Sequence, residues 1–334
     1  MAAAQTKPAT SKSTCLLMSQ EMQKTNTTGI KDLQEFYNTL KDFEDSFLFS
    51  NRDLFKSILH PALRRKESEK NEVFDGTVAN YGLEKVKLVR NVLYGAEFNA
   101  DGDRVVTCQT GQLRGVIGPT TQIAVTHSYI SGPEQVRITT LYSPIIKSQA
   151  EAVGTNRKWG LVMLQSQFWT IDKKTAQLYL DDAKKWSILG EPLVAWTFAE
   201  AARRMWNSNA YFIPNELGEA TQIALEYKNA TKKELSLAAE VVRNQKTDWE
   251  FLDFTSIFQE KSLEFGIKYR MKLEESTNIF LEKCKKNSAA ILKNLTGVTR
   301  KFKGAECLAY LPQEPLSESP AMGSNFSTWK DLGL

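Results

Sequence analysis

The alternation of apolar and polar positions is clearest between Val116 and Trp169. Three β-branched and aromatic runs fall there: Gln122–Ile130, Gln135–Tyr142 and Trp159–Trp169. They are parted by Ser131-Gly132-Pro133 and by a stretch holding Ser143, Pro144, Gly154 and Asn156. Runs of this length, broken by Gly, Pro and Ser, predict consecutive antiparallel strands. Upstream, Val86, Leu88, Arg90 and Val92 point one way, while Lys85, Lys87, Val89 and Asn91 point the other. That predicts a strand with one mostly apolar and one partly basic face. Val73–Val78, Arg104–Cys108 and Gln112–Ile117 read as further strands, with a turn at Asn99–Gly102. About seven strands without a helix between them predict a sandwich or barrel.

On both sides the period changes to three and four. Leu33, Phe36, Tyr37, Leu40, Phe43, Phe47 and Leu48 form one amphipathic helix, and Leu54, Phe55, Ile58 and Leu59 a shorter one stopped by Pro61. After Trp169, Lys173–Trp186 predicts a helix capped by Thr170 or Asp172, and Trp196–Trp206 another after the break at Gly190-Glu191-Pro192. Ala220–Tyr227 alternates with period two and reads as a last strand. From Lys232 to about Lys301 there is no Pro and little Gly. Phe251, Phe254, Ile257, Phe258 and Phe265 lead into a seam of Leu273, Thr277, Phe280, Cys284, Ser288, Ile291 and Leu295. That spacing predicts a long helix or helical hairpin. The tail, with Pro312, Pro315, Pro320 and Gly323, reads as irregular, with Trp329 and Leu334 as single anchors.

The pattern therefore predicts an α+β fold: a central antiparallel β-sandwich or jelly-roll-like domain flanked by N-terminal helices and a long C-terminal helical region. The expected divisions are a flexible arm over 1–28, N-terminal helices and a basic linker over 29–70, and the β-rich core over 71–230. The C-terminal helical region follows over 231–303, and the irregular tail over 304–334.

Composition narrows the class. The 334 residues are 42% hydrophobic and 25% charged, as in a globular protein, and the net charge of +4 permits an anionic partner without demanding one. The four cysteines, Cys15, Cys108, Cys284 and Cys307, form no Cys-x-x-Cys pair, which argues against a zinc site. The Ala-, Thr-, Ser- and Lys-rich start carries no apolar leader. The expectation is a chain that is not secreted and keeps free thiols in a reducing compartment.

Candidate catalysis is sparse. His60 and His127 are the two histidines, and His127 sits inside a strand pattern, where a satisfied structural role outweighs a catalytic one. No nucleophile elbow, phosphate-binding loop or dinucleotide fingerprint is present, and Asp181-Asp182 is a lone acidic pair. No enzyme, cofactor, metal or small-molecule substrate is expected.

The densest positive charge is Lys283, Lys285, Lys286, Lys293, Arg300, Lys301 and Lys303, which either complements a helix dipole or holds phosphates. Phe302 is placed to stack on a base, and Arg64, Arg65 and Lys66 form a second basic run. Phe280, Cys284 and Ile291 share one face of a continuous helix. They read either as core packing on the β domain or as a self-association seam.

Three stretches resemble the plant-virus thirty-kilodalton movement-protein superfamily. Gly118–Gly132 with Val136–Tyr142 looks like that family's paired central strands. Phe168–Ala176 looks like its strand-to-helix passage, and Pro214–Tyr227 like its final strand. The likeness spans roughly residues 75–228 and is one of pattern. Where the family places an aspartate after the central strand, Tyr142-Ser143-Pro144 stands here, so no site residue carries over. The resemblance implies single-stranded nucleic-acid binding, self-association and residence at plasmodesmata, and the basic cluster adds the expectation that single-stranded RNA is bound without regard to sequence. The resemblance also implies contact with host membrane or plasmodesmal proteins, and residence in host cytoplasm and cell junctions. A nucleocapsid or coat protein enclosing RNA, and a protein-binding scaffold module, are the alternatives.

Overall fold

The computed structural model describes residues 15–17, 33–64, 74–75, 87–97, 105–108, 111–114, 121–131, 134–208, 212–245, 247–259, 262–272, 276–316, 320 and 324–334. Most of the expected arm, the turn at 99–102, Arg65 and Lys66 lie outside the described residues. The chain is mixed α and β with several antiparallel sheets. It divides into two compact units: Met1–Trp169 with Ser208–Asn215, and Thr170–Asn207 with Glu216–Leu334. The β-rich region expected over 71–230 is thus cut at Trp169.

The first unit is a five-stranded sheet under a helix. Strand β1 (Cys15–Leu17), α1 (Leu33–Leu48), α2 (Arg52–Ser57), α3 (Pro61–Arg64) and β2 (Lys87–Glu97) precede the short β3 (Val105–Cys108) and β4 (Gly111–Arg114). Next come β5 (Thr121–Ser131), β6 (Glu134–Pro144), α4 (Lys147–Ala152) and β7 (Trp159–Phe168). The large sheet runs β1-β2-β5-β6-β7, antiparallel throughout. A second sheet joins β3 and β4 to the strand Phe212–Pro214.

Helix α1 buries Leu33, Phe36, Leu40, Phe43 and Phe47, whose spacing of three and four makes one apolar face. That face shares a core with Ile123, Val125, Val136, Ile138, Tyr142, Trp159 and Leu161 of the sheet. Phe36 meets Tyr142 and Trp159 edge-on, at 5.4 and 5.6 Å between centroids. Phe74, expected in a strand, is instead in a helical turn and packs on Phe47 and Phe55. Gly160 has a specific task. A Cβ there would lie 2.6 Å from the His60 backbone, and its absence lets the segment through Leu59 pair with Leu161.

The second unit begins with the hairpin β8 (Thr170–Ile171) and β9 (Lys174–Thr175), then α5 (Ala176–Ile188) and α6 (Pro192–Asn207). After β10, the strand Phe212–Pro214 of the first unit, come α7 (Glu216–Ala230) and α8 (Lys232–Asn244). Strands β11 (Trp249–Gln259) and β12 (Ser262–Met271), helices α9 (Thr277–Leu292) and α10 (Thr296–Lys301), and strands β13 (Gly304–Tyr310) and β14 (Ser324–Thr328) complete it. The sheet runs β11-β12-β13-β14, with only the β12–β13 pair parallel. A parallel pair needs a crossover, and α9 with α10 supplies it. Phe302 stacks between Phe198 and Phe265, each at 5.8 Å, and Tyr269 donates or accepts a hydrogen bond with Ser288 of α9 at 3.2 Å.

Several expectations are corrected here. Ala220–Tyr227 lies in α7, because its Ala, Gln, Glu and Leu are strong helix formers and Ala220 and Ala224 bury one face a turn apart. The long helix over 232–301 does not exist: β11 and β12 occupy its middle. Strand β11 carries a register shift between Phe251 and Asp253. An extra residue there brings Phe251 and Phe254 to the same buried side three positions apart, which imitates helical spacing. The tail is not irregular, since it supplies β14, and the preceding β13 is buried at every position. Trp329 docks by donating its ring N–H to the Phe302 carbonyl at 2.5 Å, but Leu332 is the buried leucine and Leu334 is exposed. The expectation of free thiols is also corrected. Cys284 and Cys307 are disulfide-bonded, tying α9 to β13, and Cys108 is disulfide-bonded too.

Candidate nucleic-acid interface

Helix α9 positions most of the basic cluster. At about 100° per residue, its buried Phe280, Cys284, Asn287, Ser288 and Ile291 form one stripe. Lys285, Lys286 and the C-cap residue Lys293 project from the opposite side and are exposed. Among the described residues none of these three forms an ion pair. Lys285 does lend favourable charge to Asp331, whose carboxyl is held low first by its hydrogen bonds with Thr328.

The other members of the cluster separate from that face. Lys283 sits on the flank and bonds Asp248 at 2.6 Å, which holds that carboxyl below its usual range. Arg300 is paired with Glu191. Lys301 is half-buried with its ammonium 5.2 Å from the Phe198 ring, and Lys303 is exposed. Lys301 and Lys303 line a cleft of about 80 Å³ with Asp172, Lys174, Tyr179 and Glu264. Phe302 is 7% exposed and held between two rings, so it is not available to stack on a base. Arg64 ends α3 in the first unit.

The self-association seam is corrected in the same way. Phe280, Cys284 and Ile291 are 3%, 1% and 1% exposed and belong to the second unit's own core. The helix that carries them covers its own sheet, so no seam faces outward.

Neither histidine is arranged for catalysis. Ala62 donates its N–H to His60 Nδ1 at 3.2 Å, so the other ring nitrogen carries the proton, 3.3 Å from the Pro144 carbonyl. His127 is fully buried, with Nε2 3.0 Å from Thr140 Oγ1, and Thr140 donates to the Val125 carbonyl. The Thr140 oxygen thus accepts from a neutral imidazole. Burial pulls His127 down to about 3, outweighing the Glu44 carboxylate 3.8 Å from Nδ1. Asp181 accepts from Gln177 at 3.0 Å. Burial raises Asp182, but Lys174 and Lys185 at 2.6 and 3.4 Å outweigh it and hold the carboxyl below its usual range. Both acids serve the helix surface.

Compared with known proteins, the chain matches no family model, no curated protein and no solved structure. The functional reading therefore stands on the site itself. Among the described residues no helix is long and apolar enough to cross a membrane.

Sequence reasoning missed Lys174, Asp172 and Glu264 as neighbours of Lys301 and Lys303. Glu264 was hidden because its strand lay inside the stretch read as helix. Asp172 belongs to a two-residue hairpin turn, Asp172-Lys173, whose signature is normally Gly or Asn, and Lys174 opens the two-residue strand β9 that follows it.

Proposed function

We propose that this chain is a non-enzymatic viral movement protein. It binds single-stranded RNA without reading its sequence, self-associates, and carries the viral genome from cell to cell through plasmodesmata. The observation that carries the RNA reading is the outer face of α9, where Lys285, Lys286 and Lys293 stand exposed without ion pairs among the described residues. Charge left unpaired on a rigid helix meets a phosphate backbone through counterion release, which needs no base contact. The strand pattern of the first unit supports the movement-protein part. In this reading its antiparallel sheets are the jelly-roll-like domain of that superfamily. Self-association in this reading uses a surface other than the α9 stripe.

The test is binding of full-length protein to unrelated single-stranded RNAs of equal length across a salt series. The expected result is closely similar affinities that fall steeply with salt. Affinity that depends on sequence, or that ignores salt, contradicts the RNA reading. For the transport reading, a fluorescent fusion concentrated at cell junctions is expected, and uniform cytoplasmic fluorescence contradicts it.

A further inference from the structure

The cleft lined by Lys301 and Lys303 has a chemistry that the helix face lacks. Its walls come from the turn between β8 and β9, helices α5 and α6, the start of β12, and the junction of α10 with β13. Glu264 is 7% exposed, and its Oε1 accepts a hydrogen bond from Ser262 at 2.9 Å. Its Oε2 is buried and reaches no partner among the described residues. Two ammonium groups converge on one ring: Lys174 at 5.7 Å and Lys301 at 5.2 Å from the Phe198 centroid. Lys303 adds a third positive charge that acts on Glu264. Asp172 opposes them from a turn in which it and Lys173 hold φ of 52° and 59°, a conformation non-glycine residues adopt at a cost.

The unpartnered oxygen decides the ligand's polarity once the lysines are counted. An ionised Glu264 lacks a donor, and a neutral one lacks an acceptor. Lys174 is paired with Asp182 at 2.6 Å, so the charge left to meet a ligand is that of Lys301 and Lys303, which repels a cationic donor and draws an anionic acceptor. Burial favours the neutral acid, and the nearby Glu306 and Asp172 reinforce it against Ser262 and Lys303. Size then limits the ligand. One water needs about 10–15 Å³ of such space. The cleft's roughly 80 Å³ therefore admits a group of several heavy atoms, well short of the about 300–1,000 Å³ that takes a whole small molecule.

We propose that this cleft is a phosphate-monoester subsite, in which Lys301 and Lys303 hold the anion and the Glu264 carboxyl donates to one of its oxygens. A strand end and free phosphate share this chemistry. The proposal rests on the RNA reading only for the first of these sources.

The test uses the full chain, with inorganic phosphate and with matched single-stranded RNAs ending in a 5′-phosphate, a 3′-phosphate or hydroxyls alone. Lys301→Ala with Lys303→Ala should weaken phosphate binding by about tenfold or more, as losing charge-assisted bonds does. Glu264→Gln keeps a donor and should retain binding while flattening its decline as pH rises. Glu264→Ala should lose it. Lys285→Ala/Lys286→Ala/Lys293→Ala should weaken RNA but leave inorganic phosphate binding unchanged. Tighter binding of one phosphorylated end, abolished by the Lys301/Lys303 pair, identifies the strand end as the source. Phosphate binding without preference for either end identifies free phosphate. Absence of phosphate binding to folded wild-type protein overturns the subsite, and if RNA still binds, the α9 reading survives it.

Discussion

Helices α1 and α9 are each 16 residues long and each lies on a sheet through a stripe spaced three and four apart. Their outer faces differ. On α1 two of the acids are paired within the first unit: Asp42 with Arg157 at 2.6 Å and Asp45 with Lys41. On α9 Lys285, Lys286 and Lys293 are left outward without ion pairs among the described residues. The inner faces differ too. The buried Thr39 and Ser46 of α1 bond backbone carbonyls. The buried Asn287 of α9 reaches no partner with either amide atom among the described residues. Two helices with the same packing logic can therefore serve different ends, and the outer charge is where they part.

Breaking the inner stripes should have the largest effect and should treat both helices alike. Phe43→Ala in α1 and Phe280→Ala in α9 should each cost about 3–5 kcal/mol by chemical denaturation, the usual toll of an emptied aromatic site. Phe280→Asp with Ile291→Asp should unfold the second unit. If it gives a folded protein of smaller oligomer size, the stripe is an interface after all.

Acid should separate the two helices. His127 beside α1 titrates near 3 in the folded protein and near 6.5 unfolded. A depressed pKa means stability that is present above the unfolded value and lost as pH falls through the folded one. The first unit should thus lose several kcal/mol between pH 6.5 and 3, and His127→Gln should flatten that limb. An unchanged acid limb in the variant would show that His127 carries no linkage.

The disulfide is the third contrast. It ties α9 to β13 across a sequence separation of 23, a loop worth about 3 kcal/mol in the chain-entropy model. Cys284→Ser with Cys307→Ser should lower the stability of the second unit by that order. If thiol labelling of denatured, unreduced protein finds all four cysteines reactive, the bond does not form in the cell. The smallest effect should be a gain. Asn287→Leu removes an unpaired buried amide and should stabilise by about 1 kcal/mol.

The same pair of helices shows what the sequence reveals and where it misleads. The stripe of α1 was legible because it keeps its period over the whole element, and strands β5, β6 and β7 because they are β-branched and aromatic runs parted by Gly, Pro and Ser. Strand β11 was not, because its bulge shifts the alternation and mixes two periods. Strand β13 was hidden by burial on both faces, which erases alternation altogether. The basic residues were legible as a cluster. Their sorting was not, because Asp248 and Glu191, which pair with Lys283 and Arg300, lie far away in sequence.

The most direct test of the account is the salt dependence of RNA affinity for wild type and for Lys285→Ala/Lys286→Ala/Lys293→Ala. Each neutralised phosphate on a single strand contributes about −0.7 to the log–log slope, so losing three contacts should make it shallower by roughly 2. A weaker affinity with that shallower slope is the predicted result. An unchanged affinity and slope in the folded variant would mean that the outer face of α9 only solvates its helix, and would contradict the account.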